Sequence, residues 1–410
     1  MLQVIEIPLY ERRRKLLVRD GMPLYYPNLW ITAEQLQSKV TSQAKYLAHL
    51  AMFQDFLDAY SIDLVARLQS RPRSDYLTDE ELSQFVADAG LAKSSLTQKY
   101  AGARLLRPAH QYVSSKHFEQ RVEVVCNYIE FLYDKAGDRD SKHSAIDDVK
   151  NRLKRKLNAN RPSFKRRKLQ DAVGLTDSQR KRIREVMHPE GPDNPFSSDA
   201  LKLRNYIILE LGLTMGLRRS EMLLLKVSDI SAWNSRLKVV DLEDPRIDAR
   251  TSAPQFKTHE REIHMPDELA RSIENYMSKY RERKGKASAA RKHPFLLVSH
   301  GKSEGVALSE NGLNEVLARV KTVAPELNDV HPHTLRHDCV YTLLASMKEE
   351  LDILTPEDRS TKVQKVLTWM FGWSPDSKMP ELYGAKFWRE EADKAIQRRA
   401  KRFSINEADL

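Results

Sequence analysis

Residues 216–230 read GLRRSEMLLLKVSDI. Gly216 follows the strongly apolar run Leu201–Leu213, in the place where a helix stops and the chain needs a residue that turns freely. Arg218 then stands at the start of the next helix, with a carboxylate, Glu221, three residues on. An arginine so placed offers its planar fork to a phosphate while the acid fixes its orientation. Taken alone, the pattern reads better as an ordinary capped helix with surface arginines, and Arg219 beside Arg218 leaves the register between the two open.

Three clusters downstream share this chemical bias. Lys257-Thr258 followed by Arg261–Pro266 suggests a turn between two short strands, from which a lysine can reach a groove and protonate a leaving oxygen. In HPHTLRHD, residues 331–338, His333 and Arg336 are three apart and share a helix face, which pairs an acid/base group with a phosphate clamp. The histidine spacings, with an arginine interposed and no Cys-based or Asp/Glu ligand cluster, speak against a metal site, and His331 and His337 read as structural. The last cluster, Phe371-Gly372-Trp373-Ser374 and then Tyr383, holds an indole donor and a phenol nucleophile, although a core aromatic is the default reading of each.

Around these clusters the chain reads as mainly α with a small antiparallel β-sheet. Residues 1–31 mix β-like pieces with Gly21 and Pro23 and read as an irregular lead-in. Residues 32–136 read as a small helical domain: Tyr46, Leu50, Phe53 and Leu57 form one stripe, Phe118, Val122, Val125, Ile129 and Leu132 another, and Thr78 with Glu81 makes a capping box. Residues 137–170 lack a sustained apolar stripe and read as a basic interdomain linker. Residues 171–385 form the second domain, with a capping box at Thr176 and Gln179 and β-like segments at Leu237–Asp241, Arg261–Met265 and Phe295–Ser299. Its later helices are expected at Asn311–Val320, Thr334–Glu349 and Lys362–Phe371. Residues 386–410 are a helical tail whose stripe of Phe387, Trp388, Ala392, Ala395 and Ile396 packs on its own domain or on a neighbouring protomer.

The 410 residues carry 68 Lys and Arg against 57 Asp and Glu, a net charge of +11, so the partner sought is anionic. Ten of those cations and no acid fall within residues 150–168: Lys150, Arg152, Lys154, Arg155, Lys156, Arg161, Lys165, Arg166, Arg167 and Lys168. A run of like charge repels itself unless something neutralises it, which favours a phosphate backbone over a solvated linker. No apolar run reaches the roughly 18 residues of a membrane span, and MLQVIEIPLYERRRK lacks the charge order of a signal peptide. With two separated cysteines, a cytoplasmic setting without disulfides is expected.

In order and local surroundings, Arg218, Lys257, His333-x-x-Arg336, Trp373 and Tyr383 resemble the tyrosine recombinase/phage integrase family, and GLRRSEMLLLKVSDI and HPHTLRHD resemble its most recognisable boxes. The resemblance spans roughly residues 170–385. It implies an integrase-type DNA breaking-rejoining fold, with residues 32–136 as a helical, SAM-like core-binding domain. Arg218 and Arg336 would clamp the scissile phosphate, Lys257 would protonate the 5′-hydroxyl leaving group, and His333 would be the acid/base partner. Trp373 would donate its indole N–H to the phosphate, and Tyr383 would form a 3′-phosphotyrosyl bond. The interval from Trp373 to Tyr383 is one residue longer than the family pattern leads one to expect.

The function so implied is site-specific recombination for integration or excision of a mobile element, without metal, ATP or other cofactor. The expected partners are double-stranded DNA at a specific site, a homotetramer on that DNA and accessory DNA-bending or recombinase proteins, in a bacterial or phage setting near the nucleoid. A type IB topoisomerase-like nicking-resealing enzyme would share the same residues. A catalytically silent DNA-binding regulator would have no need of the full set.

Overall fold

The computed structural model describes residues 2–9, 12–36, 38, 40–70, 76–101, 112–136, 144–159, 174–250, 253–282 and 289–403. The chain divides into two units, 1–166 and 167–410.

The first unit opens on a β-sheet. Strand β1 (Leu2–Leu9) pairs antiparallel with β2 (Arg12–Arg19), and β2 with β3 (Met22–Pro23). The reversal from β2 to β3 is made by Asp20 and Gly21, both at positive φ (49° and 85°), the conformation that an Asp-Gly pair accommodates in a tight hairpin. Residues 1–31 are therefore no irregular lead-in: the glycine and proline that suggested irregularity occupy a turn and a two-residue edge strand. Leu17 on β2 is fully buried, which fixes the hairpin to the core.

Helices α1 (Tyr25–Glu34), α2 (Val40–Ala59), α3 (Leu64–Ser70), α4 (Asp79–Ala89), α5 (Lys93–Tyr100), α6 (Ser115–Ala136) and α7 (Ser144–Ala159) complete this unit. Phe53, Phe56, Phe85, Val122 and Val125 meet in its core. The capping box predicted at the start of α4 is present, with Thr78 Oγ1 accepting from Glu81 N–H and the Glu81 carboxylate from Thr78 N–H.

Helix α7 corrects the reading of 137–170 as a linker. Val149 and Leu153, both fully buried, form a narrow i, i+4 contact that locks α7 into the first core. Leu157, one turn beyond Leu153, packs against the same core and extends this stripe among the cations; Val149 and Leu153 each contribute about 1.5–3 kcal/mol when fully buried.

In the second unit α8 (Asp177–Met187) begins with the predicted Thr176–Gln179 capping box. Helix α9 (Asp199–Leu213) is apolar on nearly every side, with Ile207, Ile208 and Leu211 buried, and so occupies the centre of its core. Helix α10 (Arg219–Leu224) follows, and then a sheet in the order β4 (Ile230–Ser231), β5 (Arg236–Val239), β6 (Arg261–His264), antiparallel throughout. The connection from β5 to β6 holds a short 3-10 turn at Pro245–Ile247, and Lys257 lies between the two strands, four residues before β6. Phe295–Ser299 adds no strand to this sheet; Phe295 and Val298 make isolated bridges to Lys226 and Ala307.

The remaining helices are α11 (Asp267–Tyr276), α12 (Glu310–Val323), α13 (Pro332–Ser346), α14 (Lys348–Asp352), α15 (Pro356–Phe371) and α16 (Met379–Phe403). Helix α16 carries Tyr383 and runs on without a break, so the expected division between residues 385 and 386 falls inside one helix. Its Phe387 and Trp388 pack within this unit, against a cluster that includes Leu344, Val363 and Leu367. No helix among the described residues is long and apolar enough to cross a membrane.

Gly216 sets the exit from α9. Its φ is +62°, and a Cβ there would lie 2.3 Å from Phe371 Cε1 and 3.0 Å from Cys339 Sγ. Gly216→Ala is expected to lower stability by about 2–3 kcal/mol through backbone strain and overpacking. A thermal unfolding midpoint equal to that of the unaltered protein would show that Phe371 gives way.

Candidate active site

The site is assembled at the ends of helices. His331 caps α13, its Nδ1 accepting from Thr334 N–H at 3.1 Å, in keeping with its structural reading. One turn in, His333, Arg336 and His337 follow at helical spacing. Arg336 is 2% exposed, and its Nη1 and Nη2 donate to the carbonyl oxygens of Gly216 (2.7 Å) and Phe371 (2.8 Å). Its guanidinium lies over the rings of Phe371 (4.9 Å) and Trp373 (5.5 Å). Two of its nitrogens are thus committed to backbone, and the cation joins the exit of α9 to the end of α15.

At the centre is Glu221 of α10, 1% exposed. Its carboxylate accepts from Arg218 N–H (2.8 Å), Thr258 Oγ1–H (2.6 Å) and Arg261 Nη2–H (3.1 Å). Arg336 Nη1 and Arg218 Nη1 each lie 3.6 Å from one of its oxygens. Burial alone would push this carboxyl up; the positive charges of Arg261 and Arg336 and the bonds from Arg261 and Thr258 reverse that and hold it below the usual range. Arg218 sits below its ordinary value, chiefly through burial, with Glu221 opposing. Arg218 Nη1 is buried with no hydrogen-bond partner among the described residues.

Of the two adjacent arginines, Arg218 lies beside Glu221. Arg219 turns outward, its Nη2 2.6 Å from Glu310 Oε2 and its Nη1 donating to Asn314 Oδ1 at 3.1 Å, both on α12.

Tyr383 reaches the site from α16. Its ring stacks on Trp373, centroids 5.6 Å apart at 13°, and Trp373 stacks in turn on Phe371. Burial pushes its phenol up to about 12, against the opposing pull of Arg336 and Arg218. The hydroxyl contacts Nδ1 of His337. His337 therefore belongs to the site and is more than the structural residue that the sequence suggested. Its ring meets that of His333 edge to face at 4.6 Å. The signal was available in the sequence, since His337 is one helical turn beyond His333.

Five of the six expected catalytic side chains, Arg218, His333, Arg336, Trp373 and Tyr383, are gathered in this arrangement. Lys257 is exposed on the loop before β6, beside the Thr258 that binds Glu221. That loop is tied down at His259, whose N–H donates to Gly372 O at 2.9 Å. Arg261, which sequence reasoning left unassigned, is buried behind it. Among the described residues no group of His, Cys, Asp and Glu side chains converges as metal ligands would.

The basic window is less bare than its sequence implied. Lys150 pairs with Glu130 (2.7 Å), Arg152 with Asp148 (2.8 Å) and Lys156 with Asp79 (2.6 Å), acids supplied by α6, by the preceding turn of α7 and by α4. Lys154 and Arg155 are exposed on α7. Arg161, Lys165, Arg166, Arg167 and Lys168 lie outside the described residues.

Residues 175–351 match the model of the Phage integrase family. Over 142 residues, 35% of this chain, the sequence is 30% identical to tyrosine recombinase XerC of Staphylococcus haemolyticus (strain JCSC1435). The corresponding protein of Staphylococcus aureus (strain USA300 / TCH1516) is 28% identical over 142 residues. The chain spans 40% of the length of each of these curated relatives. Among solved structures, a Tn1549 transposon integrase in complex with transposon right end DNA aligns with 90% of this chain and 99% of its own, at TM-score 0.48 and 15% identity. XerH site-specific recombinase bound to palindromic difH substrate aligns with 85% and 77%, at TM-score 0.47 and 13% identity.

His333 is exposed, yet desolvation by the protein around it, followed by the charges of Arg336 and Arg218, holds its pKa below 6.5. A depressed histidine is neutral at pH 7, and its contribution to stability is present above 6.5 and is lost as pH falls through the folded value. In an NMR titration of the free protein its midpoint is expected below 6.5, moving upward in Arg218→Gln. A midpoint that ignores this substitution would remove the electrostatic coupling between the two.

Proposed function

Because residues 175–351 match the model of the Phage integrase family, we propose that this chain is a site-specific DNA recombinase that cleaves and rejoins strands through a 3′-phosphotyrosyl bond. Integration or excision of a mobile element is the use to which such chemistry is suited. The observation that carries the reading is the buried Arg218 Nη1 without an acceptor, in a site where three guanidinium groups surround one carboxylate and the Tyr383 phenol stands close. An unpaired buried donor is costly, and a phosphodiester oxygen supplies what it lacks.

In the proposed reaction the Tyr383 oxygen attacks phosphorus while the bond from phosphorus to the 5′ oxygen breaks. The phenol proton passes to the His337–His333 pair, and Lys257 protonates the departing 5′ oxygen. The charges of Arg218 and Arg336 stabilise the added negative charge of the transition state. The phosphotyrosyl ester keeps the bond energy until another 5′-hydroxyl attacks and reverses the step. Strand exchange requires two duplexes and, in this reading, four protomers, with accessory DNA-bending proteins where the site demands them. Such an enzyme works where the DNA is, in the bacterial cytoplasm.

On a nicked suicide duplex the protein is expected to form a covalent adduct that Tyr383→Phe abolishes; a persistent adduct would move the nucleophile elsewhere. Recombination between two sites, against mere relaxation of a supercoiled plasmid, separates this reading from a type IB topoisomerase-like one.

The exposed Lys154 and Arg155 are assigned to the DNA backbone. Replacing both with Ala is expected to flatten the slope of log K against log salt by about 1–2 units, whatever the DNA sequence. An unchanged slope would return this face of α7 to solvent.

A further inference from the structure

Arg261 is buried to the same degree as Arg336, with 2% of its side chain exposed, and its donors are taken up by protein acceptors. Its Nη2 donates to Glu221 Oε2 at 3.1 Å and its Nε to Met370 O at 2.8 Å, while Nη1 lies within 3.4–3.5 Å of Glu221 Oε1, Thr258 Oγ1 and His259 O. These partners belong to three separate segments: α10, which carries Arg218; the loop that carries Lys257; and the last turn of α15, which leads into Trp373.

The backbone is shaped to admit this side chain. Gly372 ends α15 in the left-handed region at φ +59°, and a Cβ on it would lie 2.7 Å from both Arg261 Nη1 and His259 O. The absence of a side chain there allows the guanidinium and the His259 N–H to reach the end of α15 together.

We propose that Arg261 is a positioning residue for strand cleavage. It acts through Glu221, holding the Arg218 backbone, the Lys257 loop and the end of α15 in one register. This rests on the recombinase reading above. A neutral side chain of similar length at 261 would leave Glu221 with less support and let the three segments move independently. Misplacement of reacting groups by about 1 Å can cost on the order of 100-fold in rate. DNA affinity is set mostly by backbone contacts elsewhere and should change little.

The test compares Arg261→Gln, Glu221→Gln and the double variant on a nicked suicide duplex carrying the site mapped from DNA trapped on Tyr383, with fold checked by thermal unfolding. At saturating DNA, Arg261→Gln is expected to slow adduct formation roughly 10- to 100-fold with the DNA Kd within about 3-fold of the original. Because both substitutions act on one pair, the double variant should be no slower than Glu221→Gln alone, the signature of coupled residues. Multiplying rate losses would overturn the proposal, as would a loss confined to Kd or full-speed cleavage. If Arg261→Gln fails to fold, Arg261→Lys keeps the charge but loses the fork, and the same fall in rate at constant Kd is required of it. Wild-type protein that forms no adduct removes the recombinase reading and this proposal together, whereas wild-type cleavage with an unimpaired variant removes this one alone.

Discussion

One carboxylate buried among three guanidinium groups holds the second unit in its working form. An ionised group taken out of water is costly unless charges and hydrogen bonds replace the solvent, and removing one partner of such a set typically costs about 3–5 kcal/mol. Glu221 has that replacement from Arg218 N–H, Thr258, Arg261 and the nearby charge of Arg336. The partners come from α10, the loop before β6, β6 itself and α13. The carboxylate can therefore be satisfied only when these segments have all arrived, which couples folding of this unit to construction of its site.

The same arrangement leaves a deliberate imbalance. One negative charge faces the three cations Arg218, Arg261 and Arg336, and only Arg261 is bonded directly to it through its side chain. Arg336 spends its hydrogen bonds on two carbonyl oxygens, so its charge is fixed in place without being neutralised. Arg218 keeps a buried donor without an acceptor among the described residues. Electrostatics prepared in this way need no rearrangement when an anion enters, which is the property a site for phosphoryl transfer draws on most.

How much of this the sequence disclosed depends on the range of each interaction. Capping boxes act over three residues, and those at Thr78 and Thr176 are present as read. Helical stripes act over a few turns, and Phe53, Val122 and Val125 lie in the core they suggested. The hairpin of residues 2–23 was obscured because its turn residues look like loop composition when strand pairing is invisible. Helix α7 was obscured because its apolar stripe of Val149, Leu153 and Leu157 is interleaved with a run of cations whose counter-charges Glu130 and Asp79 lie far off in sequence. Arg261 escaped for the same reason, its carboxylate partner being forty residues away; the helical spacing put His337 beside His333, but not its contact with Tyr383, forty-six residues on. Four short clusters told which residue types were present, but long-range pairing decides which of them touch.

That distinction bears on the nucleophile. In the protein alone Tyr383 is packed between Trp373 and His337, and burial raises its phenol to about 12, so it remains protonated at neutral pH. The cations that oppose this shift, Arg336 and Arg218, already surround the place where new negative charge would form. In the proposed reaction, attack by the phenol oxygen and neutralisation of the Arg218 donor would be two aspects of one event. A phosphodiester that enters the site satisfies the donor, and charge developing on it is stabilised by cations held in place by Glu221 and by backbone. In the proposed reaction, the buried donor that makes the empty site costly is the one that would receive the phosphodiester.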